Sequence, residues 1–444
     1  MQGWSDSWLD EVSGSTRARR GAWITATFGT PAIISRRLWH FLRTTPGLMG
    51  TLSTILVIAI FSAGYALSSS TQIRSQELDY LLRYDEPTAY AAHNLSTSLS
   101  LMDTVATGEL VSTGAPNPTA FHEALDRAAI AAAAVAAGVT DPRSTELIME
   151  IQRELPVYAG IVETARANNR QGHPVAVSYM TEASALLRDD ILPAANELFE
   201  LSSTHVYRTQ QELLSPQWLP MSGLILTFLL LIGTQFWLWR ATRRRLNRGF
   251  LTATFLLLII LVWGGSSNIS MWRTGIRSAE VATTPWASLT NARIEAQQAR
   301  TTETLAIVRR SSLADTSTNF RDTIAHINSA LDSYQNSRPE DGLKSSVVAA
   351  RIATNNWTTE HNKLVGALTN GEFTTASRLA TDSSAQQLDS ILADLIADSR
   401  TTMRGFISSG LAATNNVSIS VLLLSLGAVM GVLLGIRPRI REYL

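Results

Sequence analysis

Four strongly apolar, uncharged runs interrupt an otherwise polar chain, at 47–67, 218–239, 249–269 and 417–436. A helix needs about 20 such residues to cross a hydrocarbon layer of about 30 Å. Lipid offers backbone groups no partner outside a helix. The third run is fully apolar only as far as Trp263, but no charge appears before Arg273, so it still reaches spanning length. The pattern therefore predicts four transmembrane helices. They leave an N-terminal segment (1–46), a large polar segment (68–217), a short link (240–248), a second large segment (270–416) and a tail (437–444).

Inside the large segments the apolar period is helical. Leu186, Leu187, Ile191, Leu192, Ala195, Leu198 and Phe199 fall on one helical stripe, and Leu388, Ile391, Leu392, Leu395, Ile396, Met403 and Phe406 on another. Turn-forming clusters at Gly114–Pro118, Gly138–Pro142 and Gln171–Pro174 divide the first segment; Ser311–Asp315, Ser337–Gly342 and Asn370–Gly371 divide the second. The run Ala128–Ala137 reads as a close-packing helix face. The expected fold is an all-α membrane protein with four transmembrane helices and two extracytoplasmic four-helix-bundle domains arranged as a tandem duplication. Tyr84-Asp-Glu-Pro87 and Thr283-Thr-Pro285 each open a polar, Ser/Thr-rich helix. Pro87 and Pro285 are thus candidate signal-bearing kinks, and a kinked continuous helix and a restarted helix both fit them.

Charge orients this plan. The 37 basic and 37 acidic residues balance overall, but arginines crowd the short segments: Arg36, Arg37 and Arg43 before the first span, Arg240, Arg243, Arg244, Arg245 and Arg248 in the link, Arg437, Arg439 and Arg441 in the tail. Arginine-rich flanks stay inside, so both termini are expected in the cytoplasm and both large segments outside. Residues 68–217 hold 19 acidic against 9 basic residues, a net of −10, whereas 266–416 hold 14 of each. The arginine-rich inner rim suits anionic lipid headgroups. Arg36, Arg37, Trp39, Trp218, Trp237 and Trp239 are the expected membrane-interface anchors, the first three on a basic, aromatic juxtamembrane helix. The first run lies far from Met1 and reads as an uncleaved span. Arginine in place of lysine, with Ala, Thr and Ser richness, suggests the inner membrane of a bacterium with a GC-rich genome.

Chemistry is sparse. Cysteine is absent, so no disulfide or thiolate site is expected. The seven histidines form no paired ligand set, and Glu360-His361 reads as a surface pair. No nucleotide-binding or nucleophile-elbow sequence occurs. No catalytic, cofactor or metal residue is assigned; no cofactor, no enzymatic activity and no nucleic-acid partner are expected. The spans carry no charge at mid-depth, which argues against an ion pathway. What remains is a relay whose output is another protein. Trp4, Trp8, Leu9 and Asp10, with Arg243, Arg244 and Arg245, are the candidate contacts for that cytoplasmic partner, though a frayed terminus also fits the first four.

The whole-length plan, the segment Tyr84-Asp-Glu-Pro-Thr-Ala-Tyr-Ala-Ala-His-Asn-Leu-Ser-Thr-Ser-Leu-Ser-Leu-Met-Asp103 and the cysteine-free, lysine-poor composition resemble the GlnX-like family of four-span actinobacterial membrane proteins. The resemblance implies a link between an amino-acid-binding lipoprotein, GlnH, outside and a soluble Ser/Thr kinase, PknG, inside. That kinase acts on a forkhead-associated regulator of 2-oxoglutarate metabolism, and glutamate or aspartate would be held by the lipoprotein. Two other readings stay open: a chemoreceptor-like sensor binding a small ligand directly in its bundles, and a non-sensory envelope scaffold. Homodimerisation is also open.

Overall fold

A computed structural model describes residues 45–111, 118–242, 247–310, 317–338, 344–381, 384–414 and 417–441. Trp4, Trp8, Leu9, Asp10, Arg36, Arg37, Trp39, Arg243, Arg244 and Arg245 lie outside the described residues. Every described element is helical: α1 (Thr45–Tyr80), α2 (Glu86–Val111), α3 (Pro118–Gly138), α4 (Pro142–Arg170), α5 (Val175–Leu186), α6 (Leu192–Leu214), α7 (Trp218–Thr242), α8 (Arg248–Ser278), α9 (Thr284–Arg309), α10 (Ser317–Ser337), α11 (Lys344–Thr369), α12 (Phe373–Thr381), α13 (Ser384–Thr414) and α14 (Val417–Arg441). Wide π turns join α1 to α2 (Leu81–Asp85), α5 to α6 (Leu187–Ile191) and α8 to α9 (Ala279–Thr283).

Each π turn is followed, after one intervening residue, by a proline. The amides of Glu86, Leu192 and Thr284 bond back five residues, to the carbonyls of Leu81, Leu187 and Ala279, and Pro87, Pro193 and Pro285 follow. A proline ring ordinarily collides with the carbonyl four residues earlier. One extra residue in the turn relieves that collision, so the helix continues through Pro87 and Pro285 without a break.

The chain divides into two compact units. One contains the four apolar windows, on α1, α7, α8 and α14, each on a helix long and apolar enough to cross a membrane. The outward side chains of this unit are apolar: Leu219, Leu226, Phe255, Val262, Ile419 and Leu423 are all more than 60% exposed, as lipid-facing positions are. Small residues and short polar links hold the helices together. Gln235 donates to the Phe250 carbonyl at 2.9 Å and to Thr254, Thr227 reaches the Ala59 carbonyl at 3.4 Å, and Ser68 donates to the Ser418 carbonyl at 2.8 Å. α8 meets α14 at glycines. A Cβ placed on Gly249 would fall 2.3 Å from the Gly431 carbonyl oxygen and 2.6 Å from the Gly435 Cα, and Asn247 donates to the Gly435 carbonyl at 2.7 Å. Backbone cannot yield there as a flexible side chain would. Gly249→Ala is therefore expected to destabilise the solubilised protein by about 1–3 kcal/mol, read as a lower thermal midpoint. Gly233→Ala, with nothing within 4 Å, is the control.

The second unit takes Gln72–Pro216 and Ser267–Asn415 together. In its first half α2 packs on α3 and α6, and α4 on α5 and α6; in its second half α9 packs on α10 and α13, and α11 on α10, α12 and α13. The predicted stripes face inward: Leu187, Ile191, Leu198, Leu388, Leu392 and Leu395 are buried. Helix breaks fall at Gly138–Pro142, Gln171–Pro174 and Asn370–Gly371, with Gly172 and Gly371 in the left-handed region (φ 70 and 75) that glycine adopts without strain; the other predicted clusters lie wholly or partly outside the described residues. The segments expected as two bundles share one core, because α2 packs along α9 and a single buried cluster runs from Leu78 to Ile407.

Candidate functional site

The contact between the two halves is polar where a core is ordinarily apolar. α2 is buried on nearly every side, and its inward residues include His93, Ser96, Thr97, Ser100, Asp103, Thr104 and Thr107. Their spacing is that of a helical stripe. α9 answers with Trp286, Thr290, Gln297, Thr301 and Glu303. Thr104 and Thr301 share a hydrogen bond of 2.9 Å across the seam. Several threonines satisfy themselves on the preceding turn, as Thr107 does on the Asp103 carbonyl at 2.7 Å. Other polar groups have no partner among the described residues: His93 Nδ1, Ser96 Oγ, Ser100 Oγ, Trp286 Nε1, Thr290 Oγ1, Gln297 Oε1 and Ser399 Oγ are all buried without one. Unmet hydrogen-bonding groups cost free energy and weaken the preference for one packing over another.

His93 sits among the rings of Tyr90, Phe199 and Trp286, with centroids 5.9, 6.0 and 6.4 Å away. Burial, reinforced by Arg293 and Arg400, lowers its pKa to about 3. The imidazole is neutral at any physiological pH.

Each π turn flanking this seam is held by the last helix of the opposite half. Glu86, at the end of the first turn, is 1% exposed and accepts from Arg400 Nε at 2.6 Å and from Arg404, both on α13. Arg400 also lies over the Tyr90 ring, 3.5 Å from its centroid. At the other turn, Gln210 on α6 donates to Ser278, and Thr283 donates to the Gln210 side-chain oxygen at 3.2 Å. One tether is a buried ion cluster; the other is neutral.

Farther along α2, Asp103 is fully buried and accepts from Ser184 Oγ at 2.7 Å and Tyr158 Oη at 3.2 Å. Burial raises its pKa, opposed by the Ser184 bond, the Arg188 charge and the Tyr158 bond. A folded-state pKa above the unfolded value of 3.8 means that this group favours folding most at low pH. That contribution is lost as pH rises through the raised value. Asp103→Asn keeps an acceptor for both hydroxyls without the charge. Its stability relative to the parent is expected to improve in denaturation curves as pH rises from 3.8 through the raised folded value, and to level off above it; a constant deficit at every pH contradicts this account.

Two clefts open from this unit. One, of about 580 Å³, is bounded by Asp85, Thr88, Asp141, Glu197, Glu200 and His205. His205 Nε2 lies 3.6 Å from Asp85, whose pKa burial raises. The other, of about 350 Å³, lies between α9 and α10. His361 lines it and is not a surface residue: it is 5% exposed, donates or accepts at 2.6 Å with Glu303, and stacks on Phe320 at 3.6 Å. Its neighbour Glu360 accepts from the Ser384 amide and hydroxyl. Among the described residues no group of three or more His, Asp or Glu is placed to hold a metal.

Of the residues singled out in the sequence, Pro87 and Pro285 adjoin the two tethered turns. Trp218 and Trp239 are exposed on α7 and Trp237 is half-buried against its neighbours. The 21 steps from Trp218 to Trp239 span about 31 Å at 1.5 Å per residue, close to the hydrocarbon thickness. Glu86, Gln210, Arg400 and Arg404 carried no sequence signal, since their partners lie in the other half of the chain.

Residues 77–211 match the family model of the actinobacterial sensor domain. That match takes in the first π turn, all of α2 and the Asp103 network. No curated protein and no solved structure matches the chain.

Proposed function

We propose that this protein is a transmembrane signal relay whose outer unit senses an extracytoplasmic condition and biases the contact of its inner segments with a cytoplasmic protein. The observation that carries the reading is the crossed tethering: the sensor half's π turn is gripped by Arg400 and Arg404 of the second half, and the second half's turn by Gln210 of the sensor half. A rotation or slide of α2 on α9 breaks or remakes both grips together, and packed helices have few alternative arrangements. The halves read as a tandem duplication, with the second π turn of the pair and its proline each 198 residues after the first.

The resemblance to GlnX-like proteins supplies the finer reading. The input is glutamate or aspartate held by a binding lipoprotein, and the output is a soluble Ser/Thr kinase acting on 2-oxoglutarate and nitrogen metabolism. Trp4, Trp8, Leu9 and Asp10 with Arg243, Arg244 and Arg245 are the proposed inner contacts, and the chain itself is not an enzyme. The test is recovery of the kinase with the full-length protein from membranes, with and without residues 1–20. Loss of the kinase on truncation supports docking at the N-terminal segment, and undiminished recovery rules it out. If neither the loaded lipoprotein nor its removal changes kinase recovery, the chain is a scaffold.

A further inference from the structure

The cavity between α9 and α10 has a lining whose charges are unevenly matched. Glu295, Glu303 and Asp322 supply carboxylates, Arg188 supplies a guanidinium, and Phe320 with His361 forms a flat aromatic wall. Two of the carboxylates are already engaged. Glu295 meets His326 Nδ1 at 2.8 Å, and Glu303 meets His361 Nδ1 at 2.6 Å and the Trp357 indole N–H at 3.1 Å. Asp322 has no hydrogen-bond partner among the described residues. Arg188 uses Nε on the Ser184 carbonyl at 3.0 Å, and its terminal nitrogens have none among the described residues.

The two groups with hydrogen-bonding atoms to spare are opposite in sign and come from different halves: Arg188, whose charge also acts on Asp103, from the π turn before α6, and Asp322, whose charge also acts on His326, from α10. Gln298, Thr302 and Asn319 add neutral donors and acceptors to the same lining. A volume of about 350 Å³ is at the small end for ligand pockets and excludes a folded partner. A bare cation leaves the guanidinium unanswered, and a bare anion faces three carboxylates. We propose that this cavity binds a small molecule carrying both an ammonium and a carboxylate group, an α-amino acid in class, which bridges Arg188 and Asp322 and so ties the two halves together. The protein then has an input of its own beside any partner protein.

The inference goes beyond the relay reading and does not depend on the inner partner. Its test is calorimetric titration of the detergent-solubilised full-length protein with individual L-amino acids, with 1,4-diaminobutane and with succinate. At least one amino acid is expected to bind with one-to-one stoichiometry, and at least about tenfold more tightly than the diamine or the diacid. Arg188→Ala and Asp322→Asn are each expected to weaken it at least about tenfold, the loss of a charge-assisted contact. Asp322 is exposed, so Asp322→Asn should leave the unliganded thermal midpoint unchanged, which separates binding from folding. Absence of binding by every amino acid overturns the proposal, as does equal affinity in both variants. Diamine binding that survives Arg188→Ala makes this a plain cation site and also overturns it. None of these failures touches the relay, which the kinase recovery decides.

Discussion

Replacing Arg400 and Arg404 together by alanine is expected to destabilise the unit formed by Gln72–Pro216 and Ser267–Asn415 by about 3–5 kcal/mol, because a buried carboxylate is left without its counter-charges. The argument rests on an asymmetry of burial. Glu86 is 1% exposed, while Arg400 and Arg404 are 25% and 39% exposed. Removing the arginines strands Glu86 where water cannot reach it. Removing the acid is milder, since both guanidinium groups can turn to solvent: Glu86→Gln is expected to lose about 1–2 kcal/mol. Thermal unfolding of the solubilised protein measures both, and a rise in stability towards the Glu86→Gln level on adding Glu86→Gln to the double-alanine variant identifies the stranded charge as the cause. If the double-alanine variant matches Glu86→Gln, the carboxylate is not held as described. In the relay reading the same variants should also change kinase recovery, since one of the two tethers is gone.

Trp286→Ala is expected to cost about 3–5 kcal/mol, the usual range for emptying a large aromatic site. Trp286 is 1% exposed and packs edge-on against Phe199 of the sensor half, with centroids 5.6 Å apart. Truncation therefore opens a cavity at the contact of the two halves. Trp286→Phe should behave differently. The indole N–H has no acceptor among the described residues, so removing it relieves an unmet donor while most of the ring packing survives. A loss of under about 1.5 kcal/mol is expected, in line with conservative core exchanges. Comparable losses for Phe and Ala at this position, in parallel denaturation curves, would show that the N–H does find a partner.

Much of the fold was legible because it follows from local pattern. The stripes Leu186–Phe199 and Leu388–Phe406 point to the core, and the turn clusters stop helices where Gly and Pro must. The site was largely illegible, for three physical reasons. The stripe His93–Thr107 shows in the sequence only as part of a polar, Ser/Thr-rich helix, yet its small hydroxyls pack against another helix and bond to their own backbone. His361 beside Glu360 looks like a surface pair because sequence shows no neighbour, whereas Phe320 and Glu303 enclose it. The Glu86 tether joins residues more than 300 positions apart, a separation at which no local pattern carries information. The π turns belong between these cases: Pro87 and Pro285 marked the place, and the wide turn that accommodates them depends on the whole helix continuing.

The pairing of α2 with α9 has one further consequence. In a receptor assembled from separate subunits, the fraction correctly paired rises and falls with the amount of protein present. Here both partners belong to one chain, so their encounter is unimolecular, at an effective concentration set by the connecting polypeptide. The pairing of the two halves is then a property of each molecule, formed at any dilution. In the relay reading, neither half can be lost from the seam however few copies the cell makes.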